Sequence, residues 1–448
     1  MPLTGLEIFK LLPKTNCKEC GEPTCLAFAL KLAAGKAELN ACPYISKEAK
    51  AKLMEATAPP VLPVTIGVGD RALKIGGETV MFRHEKRFEN PPGFAILISD
   101  TMGEAEIDSR LERFGQLQYE RIGLTLRPDL VAIKCDSGNA TKFEAVVDKV
   151  KQNSNGGIIL MSSNPDTLAA GLKVCADRKP LLYAATTENL ERMADLAKKS
   201  SCPLVAKAPS LEKLAELTTK LTEAGVKDIV IDSGSRTLRR AFEDQIIIRN
   251  TALTKKFRPL GFPTIVLPCE MTDDPMKEAV IASIFVAKYG SIIVLSDFQG
   301  ESLFPLLVER LNIYTDPQRP LITTEGIYKI GEPDESSPVL ITANFSLTYF
   351  LVSGYVESSR IPGYLLIKDT EGLSVVTAWA AGKFVADAIA PFVKKCGIAD
   401  VVKHRKLIIP GYIAAESDDL KEELPGWEIL VGPKDGARLP AYLRSWKA

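Results

Sequence analysis

Four cysteines fall close together near the N-terminus: Cys17, Cys20, Cys25 and Cys42, spaced C-x2-C-x4-C-x16-C, with Pro43 directly after the last. Four soft thiolates in one short segment suit a tetrahedral sulfur site, and an iron–sulfur cubane or a structural zinc both meet that description. Gly21-Glu22-Pro23 supplies a bend between Cys20 and Cys25 that lets their sulfurs converge. Zinc sites usually draw on two short C-x2-C knuckles, and only one is present. A cubane takes one thiolate at each iron corner and tolerates uneven spacing, so the pattern favours a [4Fe–4S] cluster over zinc or incidental core cysteines. The remaining cysteines, Cys135, Cys175, Cys202, Cys269 and Cys396, show no pairing rhythm. Nine cysteines cannot all pair, and no signal-peptide pattern is evident, so disulfides are not expected.

The surrounding residues predict how the thiolates are held. Thr24 to Ala34 has helical spacing, with Leu26, Phe28, Ala29, Leu32 and Ala33 on one face and Cys25 in its first turn. The positive end of that helix dipole would then face an anionic cluster. Ser46, followed by Lys47 and Glu48, starts another helix. The stretch Ala56-Thr57-Ala58-Pro59-Pro60-Val61-Leu62-Pro63 is a stiff, extended linker. A cluster module at 1–58 on such a linker could swing between electron partners, or could simply pack on the main body.

Residues 59–92 comprise the linker and a β-hairpin layer: Val64 to Gly69, then Ala72 to Ile75, a Gly76-Gly77 turn, and Val80-Met81-Phe82-Arg83. From Gly93 a repeat emerges. Apolar runs of strand length recur at Phe94–Ser99, Leu130–Lys134, Gly157–Met161, Leu181–Ala185, Pro203–Lys207, Asp228–Asp232, Thr264–Pro268 and Ser291–Ser296. They are rich in Ile, Val and Leu, as strands buried on both faces should be. Helical spacing lies between them, for example at Lys142 to Lys151, Glu188 to Lys199 and Leu211 to Ala224. Eight β-then-α units predict an α/β fold with a (β/α)8 TIM barrel over 93–318. An open doubly wound sheet would usually carry a Gly-rich phosphate loop after its first strand, and Asp100-Thr101-Met102-Gly103 is not one.

The C-terminal strand ends of such a barrel carry its chemistry. Here they offer Asp100, Asp136, Ser162, Thr186, Asp232, Glu270 and Asp297, with no histidine and no metal-ligand cluster. Acids in such places are more often loop starters and helix caps than catalysts. The barrel reads as a scaffold, with no catalytic residue assigned. Residues 319–448 form a second, smaller α/β layer. Its strands are Pro338–Ile341, Gly363–Ile367, Lys406–Ile409 and Trp427–Val431, with a helix from about Val375 to Ala381. Their ends are rich in Gly, Pro, Asn, Ser and Thr, which suits either a large amide-bearing ligand or plain turns.

Length and composition bound the rest. At 448 residues two or three domains are expected, and 46% hydrophobic with 25% charged residues is a globular balance. A formal net charge of zero gives no electrostatic case for nucleic acid. No apolar run approaches the roughly 20 residues needed to span a bilayer. A cytoplasmic location follows as the expectation.

The cysteine pattern, the proline linker, the eight-unit barrel and two C-terminal motifs together resemble one family. The motifs are Thr342-Ala343-Asn344-Phe345-Ser346-Leu347-Thr348-Tyr349 and Asp369-Thr370-Glu371-Gly372-Leu373-Ser374. The chain resembles the large (gamma) subunits of corrinoid iron–sulfur proteins of the acetyl-CoA synthase/decarbonylase system, over essentially its whole length. That resemblance implies a methyl carrier of the reductive acetyl-CoA pathway. A corrinoid cobalt accepts a methyl group from methyltetrahydrofolate through a separate methyltransferase and passes it to acetyl-CoA synthase/CO dehydrogenase. The [4Fe–4S] cluster on Cys17, Cys20, Cys25 and Cys42, fed by an electron-donor protein, returns Co(II) to Co(I). It further implies a Rossmann-like C-terminal domain that grips a cobalamin-type corrinoid, base-off, through Thr342, Asn344, Ser346, Thr370, Glu371, Gly372, Leu373, Ser374, Gly411, Gly432 and Pro433. A small subunit completes a heterodimer. The Asp-x-His-x-x-Gly signature of many other corrinoid domains is absent, and His404 in Lys403-His404-Arg405-Lys406 is expected on the surface. Two rival readings are a self-contained barrel methyltransferase that binds a pterin at Asp100, Asp136 and Asp232, and an electron-carrier subunit without corrinoid.

Overall fold

The computed structural model describes residues 5–33, 37, 39–46, 49–50, 53, 58–121, 124–316 and 321–447. The chain divides into two compact units. One comprises 1–81, 89–116 and 128–310, and the other 82–88, 117–127 and 311–448.

The first unit begins with helices Gly5–Leu11 and Cys25–Ala33. They pack around Ile8, Phe28, Ala29 and Leu32, all buried, with Leu53 beside them. Ser46 caps a following turn, accepting from Ala49 N at 3.1 Å, while Lys47 and Glu48 lie outside the described residues. Ala56 and Thr57 of the linker also lie outside them. From Ala58 the chain is held down rather than free. Arg258 donates to the carbonyls of Pro59 (2.8 Å) and Ala58 (3.2 Å), and Leu62 N donates to Gly261 O (2.9 Å).

Eight parallel strands follow: Gly93–Ser99, Leu130–Lys134, Gly157–Met161, Leu181–Ala185, Leu204–Lys207, Ile229–Asp232, Ile265–Val266 and Ile292–Leu295. Each pairs with its sequence neighbour up to the sixth, and the eighth pairs with both the seventh and the first. Ile231 N donates to Pro263 O at 2.9 Å and Ile231 bridges Thr264, which joins sixth to seventh and nearly closes the barrel. The seventh strand is shorter than the Thr264–Pro268 run because Pro268 opens a 3-10 turn, Pro268–Glu270. Helices such as Ala140–Asn153 and Leu211–Glu223 are started by Asn139 and Ser210, whose side chains accept from backbone N–H groups of the first turn.

An antiparallel hairpin, Val64–Ile66 with Leu73–Ile75, seals the N-terminal end of this barrel. Val64, Ile66 and Ile75 join the interior cluster of Leu130, Ile159 and Ile292. Gly93 and Gly157 begin their strands against the hairpin: a Cβ on Gly93 would stand 2.3 Å from Leu73. Only the C-terminal mouth is left as a face for chemistry. The expected third strand, Val80-Met81-Phe82-Arg83, is not a strand. Side chains serve its backbone instead, with Arg249 donating to Val80 O (3.0 Å) and Tyr289 to Met81 O (2.9 Å). Arg249 also pairs with Glu78 at 3.0 Å, both nearly fully buried.

The second unit is built on a five-stranded sheet in the order Gly326–Ile330, Gly363–Lys368, Val339–Ala343, Lys406–Ile409, Glu428–Val431, with only the first strand antiparallel. Alternate residues feed two cores. Val339, Ile341, Tyr364, Leu366, Leu407 and Ile409 face one, and Leu340, Leu365, Ile367 and Ile408 face the other. Both faces are therefore covered, as the apolar runs predict. From Val339–Ala343 the chain first pairs to one side and then crosses to the other, so the strand order reverses between Val339–Ala343 and Lys406–Ile409. Two excursions complete this unit. Arg83 donates to the carbonyls of Asn312, Ile313 and Thr315, and Arg121 of a small hairpin lies 4.6 Å over the Phe350 ring.

Candidate functional site

The four N-terminal thiols are free and belong to one small module. Cys25, Cys42 and Cys20 share its apolar core, and the Tyr44 hydroxyl, donating to Glu19 at 2.7 Å, lies within electrostatic range of both Cys17 and Cys42. Cys25 opens the nine-residue helix Cys25–Ala33, whose first turn is capped by Thr24 Oγ1 accepting from Ala27 N. Asn16 bridges the loop to this helix. Its Oδ1 accepts from Cys25 N at 2.8 Å, and its N–H points at Cys25 Sγ at 3.4 Å. The loop itself is unusual, because Lys14, Asn16 and Lys18 all adopt left-handed φ (60°, 47°, 66°) ahead of Gly21 at 82°. Asparagine tolerates that region, but each lysine costs about 1–2 kcal/mol there and persists where surroundings over-determine it. Left-handed residues among ordinary ones aim backbone N–H groups into a concave space that favours an anion. Among the described residues no three His, Cys, Asp or Glu side chains stand in ligating geometry, so the module is a gathering of thiols rather than a preformed cage.

The second site is a cleft of about 480 Å³ at the C-terminal ends of Val339–Ala343 and Lys406–Ile409, where the strand order reverses. Open α/β sheets bind ligands at such a crevice because the connections diverge there. Thr342, Ser374, Gly432 and Pro433 line it, as expected for ligand contacts. Thr342 is 2% exposed and its hydroxyl finds no partner, and the Ser346 hydroxyl, 3% exposed at the start of helix Ser346–Ser359, is likewise unpartnered. A buried orphan hydroxyl costs about 1–3 kcal/mol unless something meets it.

Other expected contact residues take a different place. Asn344 is 1% exposed, and its Oδ1 accepts from Thr370 N (3.0 Å), Thr370 Oγ1 (2.9 Å) and Gly372 N (3.0 Å). Its Nδ2 donates to Asp369 Oδ1 at 2.8 Å. Asn344 thus ties one strand end to the next and holds Glu371 (φ 57°) and Gly372 (φ 80°) in left-handed conformation. Glu371 pairs with Lys383, and Leu373 packs against the core. Asn344, Thr370, Gly372, Glu371 and Leu373 shape the loop that ends in the cleft-lining Ser374. Gly411 is a contact between turns: a Cβ there would stand 2.5 Å from Gly432 O and 2.6 Å from Lys434 N. Gly411→Ala should force those backbones apart and destabilise this unit by about 1–3 kcal/mol, read as a lowered denaturant midpoint; an unchanged midpoint would show that the turns slide freely.

Sequence reasoning missed the apolar part of the cleft, where Leu351, Tyr355, Val376 and Tyr412 line the wall. Leu347 and Leu351 are 56% and 50% exposed, one turn apart on the same helix face, and the sequence alone carries no signal that separates them from core leucines. The cleft wall holds no histidine, cysteine or methionine. His404 is half-buried rather than on the surface. Its Nε2 meets Ser337 O at 2.9 Å, its Nδ1 accepts from Lys406 N, and its ring edges onto Trp446.

At the barrel mouth the acidic strand ends are occupied. Asp100 accepts from Asp136 N, Ser137 N and Ser137 Oγ. Asp297 pairs with Arg113 at 2.7 Å and Asp136 with Lys134 at 3.0 Å. Asp232, 2% exposed, receives Arg236 (2.8 Å) and the Tyr183 hydroxyl (2.6 Å), and Arg236 also pairs with Glu270. Burial pushes the Asp232 carboxyl up, but Arg236 and Tyr183 outweigh it and hold it below the usual carboxylate range. Its stabilisation is therefore present above the unfolded value near pH 4 and lost as pH falls through the lower folded value. Asp232→Asn removes one of Arg236's two carboxylate partners and should lose about 1.5–3 kcal/mol, with a flatter acid limb in its stability–pH curve; a loss below 1 kcal/mol would show that Glu270 compensates fully. Asp100, Asp136 and Asp232 thus each already serve protein partners.

Among the described residues no helix is long and apolar enough to cross a membrane. Residues 63–443 match the family model described as CO dehydrogenase/acetyl-CoA synthase delta subunit, and residues 12–44 match one described as putative Fe-S cluster. A cysteine module joined to a barrel and a cleft-bearing α/β unit is thus a subunit of the CO dehydrogenase/acetyl-CoA synthase class. Within it, the chain belongs to the family of corrinoid iron–sulfur protein large (gamma) subunits. It is 45% identical to the corrinoid/iron-sulfur protein large subunit of Moorella thermoacetica, over 99% of each chain. It is 38% identical to the acetyl-CoA decarbonylase/synthase complex subunit gamma of Methanopyrus kandleri, over 98% of this chain and 97% of that one. Among solved structures, 7,8-dihydropteroate synthase from Vibrio fischeri is 11% identical, matching 51% of this chain and 95% of that one at a TM-score of 0.39.

Proposed function

We propose that this protein is a methyl carrier that holds a base-off corrinoid at the C-terminal cleft and a [4Fe–4S] cluster on Cys17, Cys20, Cys25 and Cys42. The observation that carries the reading is the cleft at the strand-order reversal, with the Thr342 hydroxyl buried beside it and unpartnered. When bound, the corrinoid would supply a nucleophilic cobalt for methyl transfer, and the cluster a low-potential electron to restore it. The chain's own residues do the holding. Thr342, Ser374 and the Gly432-Pro433 turn would offer hydroxyls and close backbone to corrin amides, while Leu351, Tyr355 and Val376 would exclude water from the apolar wall. Asn344 keeps the Asp369–Ser374 loop in the shape that presents Ser374. Among the described residues the cleft wall offers no imidazole or thiol as a cobalt ligand, so a corrinoid held there would lack a protein ligand that favours its oxidised states.

The proposed domain plan is a cluster module at 1–58, a linker and hairpin layer at 59–92, a barrel at 93–318 and a Rossmann-like corrinoid domain at 319–448. In this plan a small subunit covers the exposed corrin face. A methyltetrahydrofolate-dependent methyltransferase, acetyl-CoA synthase/CO dehydrogenase and an electron-donor protein are transient partners in the cytoplasm. Metal analysis of anaerobically purified protein tests the reading. Iron near four and cobalt near one per chain, with corrinoid absorption beside the broad cluster band, is the expected result. Iron without cobalt would favour a plain electron carrier, and zinc without iron would overturn the cluster.

A further inference from the structure

Two apolar faces of the first unit lie open to solvent, and one short stretch of chain connects them. The first is a groove between helices Leu211–Glu223 and Leu238–Thr254. Cavities of about 830 and 450 Å³ there share Thr219, Glu223 and Pro259, so they form one continuous trough. Ile247 and Phe257 stand in it 45% and 42% exposed. Its far end is lined by Ala58, the residue at which the linker is pinned by Arg258. The second face belongs to the cysteine module. Leu26 and Leu30, one turn apart, are 37% and 56% exposed, and Leu6 is 64% exposed beside Gly5, which abuts Leu30.

We propose that the cysteine module has a docked position on the barrel's flank, with Leu6, Leu26 and Leu30 seated in the groove around Ile247 and Phe257. The tether argues for this occupant over any other. Leu53 of the module core is five residues from Ala58, a reach of about 17 Å at full extension, so the module cannot leave the neighbourhood of the groove's end. A tether that short sets an effective concentration on the order of millimolar, which populates even a weak contact. Charge agrees with it. Lys10, one turn from Leu6, would meet a groove rim on which Glu212, Glu216 and Glu223 outnumber Lys220 and Arg240, while Lys31, next to Leu30, already pairs with Glu22 at 2.5 Å. The docking uses neither the thiols nor the C-terminal cleft, so it stands or falls independently of which cofactors are bound.

Amine cross-linking of the full-length protein, read by peptide mass spectrometry, tests the position. A short bifunctional reagent should join Lys10 or Lys31 to Lys220 in the groove. Leu30→Glu on the module and Ile247→Glu in the groove should each reduce that product about tenfold or more, the population change expected for unburying one large aliphatic side chain. Both sites are exposed, so both variants should fold; unchanged iron content and denaturant midpoint verify that. Wild-type yield in both variants, or no such product in the unmodified protein, would overturn the docked position. Cross-links from Lys220 that form only with an added small subunit would assign the groove to that partner and also overturn it.

Discussion

Cys42→Ala is expected to strip the N-terminal module of intact cluster, leaving about three irons per chain or none, because a cubane corner loses its only protein ligand. The substitution should not unfold the module. Cys42 is 9% exposed at the edge of a core whose bulk comes from Ile8, Phe28 and Leu32, and removing one sulfur leaves those contacts in place. Cys175→Ala is the control: it removes a still more deeply buried thiol from the barrel and should leave iron unchanged. The companion expectation is functional. A cluster-free protein whose cobalt is reduced chemically should still accept a methyl group, and should fail only when it must be reactivated through an electron-donor protein. Four irons retained in Cys42→Ala, with unchanged reduction behaviour, would remove Cys42 from the ligand set.

Gly372→Val should yield a protein that folds, keeps its iron and purifies with little cobalt. Gly372 holds φ 80° and donates its N–H to Asn344 at 3.0 Å. A β-branched residue pays about 1–2 kcal/mol or more at that φ and would pull the loop from its anchor. Ser374 and Val375, the cleft wall that follows, move with it. The informative partner is Gly372→Asn, since asparagine tolerates the left-handed region and keeps the donor. Restored cobalt in Gly372→Asn ties corrinoid retention to loop shape. Normal cobalt in a folded Gly372→Val protein would move the corrinoid site away from this loop.

The barrel was legible because its strands are buried on both faces and so read as unbroken runs of Ile, Val and Leu. Leu130–Lys134, Gly157–Met161 and Leu181–Ala185 fall at the residues expected. Val80–Arg83 looked like another such run. It failed because its backbone is satisfied by Arg249 and Tyr289, from helices and loops far away in sequence. The C-terminal motifs marked the right loops but not their division of labour. Asn344 carries a ligand-friendly amide, and only the folded structure reveals that its Oδ1 is spent on Thr370 and Gly372 and an Nδ2–H on Asp369. The apolar cleft wall was invisible for a related reason: Leu351 and Val376 are indistinguishable from core residues until the core is seen to be complete without them.

The make-up of the second unit has a consequence for how the chain is made. Residues 82–88 and 117–127 belong to it, yet they leave the ribosome before residues 128–310 and well before the sheet that receives them. At 5–20 residues per second they wait on the order of 10–70 s for that sheet. Over that interval Phe88 waits for Tyr314 and Arg121 for Phe350. The barrel therefore completes around two open excursions, and a nascent chain stalled before residue 311 would display them both. Holding back such surface until the last third of the chain arrives is a task for a chaperone, and slow elongation across the barrel codons would lengthen it.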